Sequence, residues 1–210
     1  MPLQLLPGNY RIIKEDSPVA VLTLLDDLPL ADEPIALFGQ AMTENLGITR
    51  VIANLLMNPT IRYLIVCGRD VNGHYPGLAL TSLYAHGYDL SPEGMVMVKD
   101  ARTIHPETRE AIAAADPRLP IQEETMDDVM SRFREQITLV NCIGERDVAR
   151  IHATIEHCLH QEPKPPLQPY EVQLKKREDS RIAITDAVAV HALMRIRDYK
   201  IHNRKPYTTA

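Results

Sequence analysis

The sequence predicts an α/β fold, an open parallel sheet with helices on both faces. Three observations lead there. Residues 19–25 are a continuous apolar run, the pattern of a strand covered on both sides, and residues 61–67 are again strand-like. Between them, residues 43–58 carry apolar positions at helical spacing and stop at Asn58-Pro59. Strand-like and helix-like segments then keep alternating, the rhythm of parallel strands joined by crossover helices.

Each element has its own local reason. Thr43 is expected to cap a helix beginning at Glu44, whose carboxylate suits the positive helix end, with Leu46, Ile48, Val51, Ile52, Leu55 and Leu56 as its apolar side. The second strand runs into Gly68, and a polar loop over 69–77 leads to a helix over 78–86 that Gly87 terminates. Residues 95–98 read as a short strand. Pro106 suits the first turn of a helix reaching about 115. Thr125 and Asp128 have capping-box spacing ahead of an amphipathic helix, and 147–160 forms another.

Composition narrows the function classes. The 210 residues are 45% hydrophobic and 24% charged, which is ordinary for a folded globular chain. A chain of this length buries roughly 70% of its unfolded surface and needs no staple. Aromatics are 5% with no Trp, and the net charge is −5; both argue against a nucleic-acid binder. The three Cys form no CxxC pair, which fits a reducing, cytoplasmic setting. No apolar run approaches the ~18 residues that span a bilayer, so no membrane insertion is expected. Residues 1–169 hold 14 Lys/Arg against 23 Asp/Glu, while residues 170–210 hold 9 against 5. Four prolines fall in the eight residues 162–169, as in a stiff spacer. The expected organisation is a body over 1–162, a linker over 163–169 and a basic extension over 170–210, with a strand over 181–185 and a helix over 188–197.

Parallel sheets bind ligands beyond the carboxyl ends of their strands, which is where the loop from Cys67 to Gly77 belongs. Gly68, Gly73 and Gly77 permit close backbone approach or positive φ. Asp70, Asn72 and His74 supply polar groups, and His74 lies between Gly73 and a Pro-Gly turn. It reads as a metal ligand, a general base or simply a loop residue. Thr43, Glu44 and Asn45 would bring a hydroxyl, a carboxylate and an amide to the same crevice, Thr43 being equally a cap. His152, His157, Cys158 and His160 are potential zinc ligands, although helical spacing sets His152 apart from His157 and His160. Cys67 reads as buried filler. Neither Gly-x-Gly-x-x-Gly nor a phosphate-binding Gly-Lys-Ser/Thr loop occurs, which ranks a nucleotide-dependent enzyme last.

The order Asn72-Gly-His74-Tyr-Pro-Gly77 is similar to the Asp-x-His-x-x-Gly arrangement of corrinoid proteins, where a carboxylate two residues before the His orients its ring through Nδ1. Asn72 holds that position here, and Asp70 is a possible substitute. A longer set of residues points the same way: Thr43-Glu-Asn-Leu-Gly-Ile48, Val51-Ile-Ala-Asn54, Asn58-Pro59, Ile61-Arg-Tyr-Leu64 and Gly68-x-x-Val-x-Gly-His74-x-x-Gly77. Together with Ser17-Pro-Val-Ala-Val21 and Phe133-Arg-x-Gln-Ile137, they closely resemble the tetrahydromethanopterin S-methyltransferase A-subunit family over roughly residues 10–150.

That resemblance implies a Rossmann-like domain carrying a cobamide (cobalamin-type) cofactor that shuttles a methyl group. It implies His74 as the lower axial ligand of cobalt. The block Thr43, Glu44, Asn45 and Leu46 and the loop residues Gly68, Asp70, Asn72, Gly73, His74 and Gly77 would line the cofactor. The implied partner is a separate pterin-dependent or other methyl-donor methyltransferase component, with a homodimer as a further option, and the membrane anchor of the methanogen enzyme is not expected. Met42, Asn72 and Pro76-Gly-Leu78 stand where the family usually has Lys, Lys and Thr-Gly-Gln. These departures favour the alternative, a Rossmann-like small-molecule-binding or regulatory module that has lost cobalt chemistry.

Overall fold

Residues 2–99, 118–162, 165 and 167–175 are described by the computed structural model. Along the chain they form β1 (Tyr10–Ile12), β2 (Val19–Leu22), β3 (Leu37–Gly39), α1 (Leu46–Met57), β4 (Tyr63–Gly68) and α2 (Pro76–His86). Then come β5 (Tyr88–Leu90), β6 (Val96–Val98), β7 (Arg118–Leu119), α3 (Met126–Gln136), β8 (Thr138–Ile143) and α4 (Val148–Leu159). The main sheet has the order β1-β3-β2-β4-β8, parallel throughout except for β1, which runs antiparallel to β3. A second, antiparallel sheet has the order β5-β6-β7.

The continuous apolar runs are explained by cover on both sides. All of β2 and β4 is buried, and successive side chains enter opposite layers. Ala20, Leu22, Leu64 and Val66 pack with Ile52 and Leu56 of α1, Leu80 and Leu83 of α2, and Val129 and Phe133 of α3. Val19, Val21, Ile65 and Cys67 face the other way, against Ile151, Ile155 and Cys158 of α4. The chain is therefore the expected α/β fold with helices on both faces.

Several boundaries differ from expectation for physical reasons. Residues 23–25 do not continue β2, because Leu24 turns the chain at a φ of 51°. The first helix starts at Leu46 rather than Glu44: Asn45 is its cap, its side chain accepting from the Leu46 N–H, and Thr43 Oγ1 accepts from the Gly47 N–H. The second begins two residues early, with Pro76 in its first turn. Thr125 makes no cap; its hydroxyl donates to the Gln122 carbonyl instead. Strands β1, β3, β5, β7 and β8 carry no strong pattern, being two or three residues long or, for β8, half-exposed along an edge. The helix expected over 106–115 and the elements expected over 181–197 lie outside the described residues.

Polar side chains tie the layers together at the amino-terminal edge of the sheet. Gln136 is fully buried, and its amide donates to the carbonyls of Leu55, Asn58 and Ile61 at 2.6, 3.2 and 3.3 Å. The neighbouring Arg62, also buried, donates to Gln136 O at 3.0 Å and Pro165 O at 2.6 Å. Residues 170–173 pack back on the same unit: Tyr170 N–H donates to Leu56 O, Gln122 N–H to Gln173 O, and Val172 is buried. Replacing Gln136 with Leu removes the donor while its carbonyl partners stay buried, so urea denaturation should show a loss of about 2 kcal/mol with an unchanged m-value.

Candidate functional site

Between β2 and β4 the connections diverge. The chain leaves β2 towards β3 and leaves β4 towards β8, and such a reversal opens a crevice at the carboxyl ends of the strands. Because β3 is parallel to both, its exit loop also delivers residues 40–45 to this edge. Three loops therefore meet there.

The junction is very tight. Gly68 ends β4 at a φ of +79°, and a Cβ at that position would lie 2.2 Å from the Thr23 carbonyl oxygen. Only glycine accepts both the left-handed backbone and the contact. Arg69 then reaches back across the crevice. Its N–H donates to Asp26 Oδ2 at 2.7 Å, and its guanidinium donates to Oδ1 through Nε at 2.9 Å and Nη2 at 2.6 Å. Burial pushes the Asp26 carboxyl up, but the Arg69 hydrogen bonds and charge outweigh it, helped by Arg146, and hold it below the ordinary aspartate value.

The loop that follows is wound around Asp70. Its Oδ1 accepts from the N–H groups of Val71 and Gly77, and Oδ2 accepts from Leu78 N–H at 2.8 Å. Asp70 is thus the anionic partner of the α2 amino terminus. Gly77 makes room for this, since a Cβ there would be 2.7 Å from Leu24 Cδ1 and 3.0 Å from Asp70 Oδ2. Asn72 Oδ1 accepts the Tyr75 hydroxyl at 2.8 Å, and Tyr75 is buried in a left-handed conformation at φ 45°. Left-handed geometry costs a non-glycine residue about 1 kcal/mol. The N–H groups of His74 and Tyr75 both donate to Val71 O, which closes the turn.

His74 is held at the tip. Its Nδ1 lies 2.9 Å from Glu44 Oε2, with the Glu44 side chain 3% exposed and the His74 side chain 39% exposed. The carboxylate that orients His74 therefore comes from the β3–α1 loop. Neither Asn72 nor Asp70 supplies it, because one holds Tyr75 and the other caps α2. A carboxylate oxygen accepts, so Nδ1 is the nitrogen that donates to Glu44, and Nε2 lies on the opposite side of the ring. Beside it Gly73, at φ +83°, has nothing within 4 Å of where a Cβ would stand.

Of the residues singled out in the sequence, Glu44 and His74 meet directly. Thr43 and Asn45 shape the start of α1 behind them, Leu46 is its first residue, and Gly68, Asp70, Asn72, Gly73 and Gly77 build the loop. Asp26, Arg69 and Tyr75 were not prominent in the sequence; an Asp pair directly after an apolar strand was the available signal for Asp26. The zinc cluster does not assemble: His152 Nδ1 pairs with Glu33 Oε2 at 2.7 Å, and no group among the described residues is placed to hold a free metal ion. Cys67 lies in the core, and burial pushes its thiol up to about 12.

The sequence profile of the tetrahydromethanopterin S-methyltransferase A-subunit family matches residues 2–180. The first of two such A-subunits of Methanothermobacter marburgensis is 35% identical over 159 residues, covering 74% of this chain and 59% of the relative. The second of Methanobrevibacter ruminantium is 35% identical over 159 residues, covering 74% and 73%. The A-subunit of Methanosarcina acetivorans is 34% identical over 162 residues, covering 76% and 60%. The chain belongs to this family, and it spans about three fifths of the length of the Methanothermobacter relative. No helix among the described residues is long and apolar enough to cross a membrane.

The Asp26–Arg69 pair has a pH signature. A carboxyl that titrates lower in the folded state than its unfolded value of ~4 contributes stability that is complete above that value and is lost as pH falls through the folded one. Urea midpoints between pH 7 and pH 3 should therefore fall less steeply for Asp26→Asn than for the wild type, the variant being the less stable at pH 7.

Proposed function

We propose that this member of the tetrahydromethanopterin S-methyltransferase A-subunit family is a corrinoid-binding methyl carrier of a methyltransferase system, with His74 as the lower axial ligand of cobalt. The observation that supports this reading is the His74–Glu44 pair, a half-exposed imidazole bonded through Nδ1 to a buried carboxylate. A metal-ligating imidazole characteristically has this support on its other nitrogen, which fixes ring and tautomer and raises ligand basicity. The donor set fits a cofactor that brings its own metal and asks the protein for one nitrogen. When bound, a cobamide supplies the centre that accepts and gives up the methyl group.

The chain's own residues do the rest. Glu44 holds the Nδ1 proton and keeps Nε2 available. Asn72 and Tyr75 keep the His74 turn closed, Asp70 fixes that turn to α2, and Gly73 takes the left-handed backbone that leads into His74. Thr43, Asn45 and Leu46 set the direction in which α1 leaves the crevice, and so the position of Glu44. The methyl donor and acceptor are handled by separate methyltransferase components, for which a half-exposed His74 leaves access from outside.

Purified protein mixed with hydroxocobalamin and methylcobalamin should retain the cofactor through gel filtration. His74→Ala should shift the visible bands of the retained cofactor. Glu44→Gln should weaken retention by about 10-fold with the bands nearly in place, as expected when a supporting carboxylate is neutralised. An unchanged His74→Ala spectrum takes His74 off the cobalt. Failure to retain cobalamin in any oxidation state would leave the family fold as a small-molecule or regulatory module without cobalt chemistry.

A further inference from the structure

A groove of ≈ 700 Å³ lies at the far end of α2 from His74, between strand β5 and helix α3. The eleven residues of α2 separate the two places by about 16 Å. On one wall β5 is the edge of the small sheet, with β6 on its other side. Gly87 O accepts from Lys99 N–H and Ser91 N–H donates to Met95 O, so residues 87, 89 and 91 bond inward to the β6 side. Antiparallel pairing alternates, which turns the peptide groups of Tyr88 and Leu90 outward to the free edge. Among the described residues nothing bonds to them there.

The side chains around that edge have matching chemistry. Tyr88 and Leu90 are the cross-strand partners of Val98 and Val96 and so share their face, and both valines are buried in the core. The apolar face therefore continues to the edge, where Leu90 is 46% exposed, beside buried Met130 of α3. Asp89 alternates to the opposite face, where Lys99 Nζ lies 2.8 Å from Oδ1 yet leaves the Asp89 side chain 67% exposed. Asp127 at the start of α3 accepts the Tyr88 hydroxyl. The cation on the helix wall is turned away, because Arg134 donates to Leu83 O and Tyr84 O at the carboxyl end of α2. The exposed side of the Asp89 carboxylate and, among the described residues, the outward peptide groups of β5 remain for an incoming chain.

We propose that this groove takes an extended, positively charged segment of a partner polypeptide as a fourth strand on β5. Outward N–H and C=O groups of Tyr88 and Leu90 supply main-chain pairing, alternate apolar side chains cover Leu90 and Met130, and Lys or Arg between them lie on the face of Asp89. Self-pairing of two β5 edges is disfavoured, because it would bring Asp89 opposite its own copy. The proposal is independent of what binds at His74, whose loop stays open when the far end of α2 is occupied.

The full chain is titrated with a fluorescent, acetylated Lys-Val-Lys-Val-Lys-Val-Lys peptide and with its Glu-for-Lys counterpart, and amide exchange is followed by NMR. The lysine peptide should bind, the glutamate peptide should not, and the Tyr88 and Leu90 amides should gain protection. Leu90→Pro removes an N–H that no described residue bonds and should weaken binding by at least ~10-fold with an unchanged circular dichroism spectrum. Asp89→Lys keeps the backbone intact and should weaken it several-fold. Equal binding of both peptides, protection away from β5, undiminished binding by both variants, or no binding of the lysine peptide at all overturns the proposal.

Discussion

A methyl group on residue 68 would collide with the Thr23 carbonyl oxygen, and the geometry of the carboxyl edge follows from that closeness. Gly68 is where the exits of β2, β4 and β8 are fastened to each other: its N–H donates to Glu145 O, its carbonyl accepts from Gly144 N–H, and the next residue exchanges hydrogen bonds with Leu25 and Asp26. With three exits tied at one point, the β4–α2 loop has little freedom. Asp70 and the Asn72–Tyr75 contact remove what remains and hold His74 at the tip. The left-handed backbone at Leu24 and Tyr75 is sustained because both side chains are buried, 0% and 7% exposed. Strain of about 1 kcal/mol at each is small beside roughly 2 kcal/mol for burying a large apolar side chain.

The pairing of Glu44 with His74 shows tertiary structure overruling a local preference. A carboxylate at the start of a helix is stabilised by the helix end, typically by 0.3 to about 1 kcal/mol. Glu44 gives up that position, the helix start moves to Leu46 with Asn45 as cap, and the buried carboxylate turns to an imidazole thirty residues away in sequence. Asp70 makes the converse choice. It stands four residues before His74 yet serves the amino terminus of α2, which offers it two N–H groups.

These exchanges explain what could be read in the sequence. β2, β4 and α1 were legible because burial on both faces forces unbroken apolar runs, and burial on one face forces helical periodicity. The glycines of the 68–77 loop announced a crevice for different reasons: Gly68 meets the Thr23 backbone, Gly77 is crowded by the Leu24 and Asp70 side chains, and Gly73 takes a left-handed φ. The source of the carboxylate facing His74 was not legible, since any acidic residue on any of the three converging loops satisfies the chemistry. β8 escaped because an edge strand half-exposed along its length shows neither an apolar run nor clean alternation. The proline-rich stretch has a similar ambiguity. Prolines lack the donor for sheet or helix but keep their carbonyls, and a buried Arg62 found one at Pro165.

Helix α2 connects the His74 loop with the β5–α3 groove, and both of its ends are held by charge from outside the helix. Asp70 takes N–H groups at its start; Arg134 of α3 takes carbonyls at its end, each charge matching the sign of the helix terminus it meets. Between them Leu78, Ala79, Leu80 and Leu83 are buried in the core, so the helix is fixed along its length as well. A helix secured in this way acts as a rigid spacer. It keeps the His74 loop and the β5–α3 groove at a constant separation, so a chain seated in the groove is fixed relative to His74 without covering it. Were the chain to act as the proposed carrier, attachment at the far end of α2 would keep the His74 face available throughout.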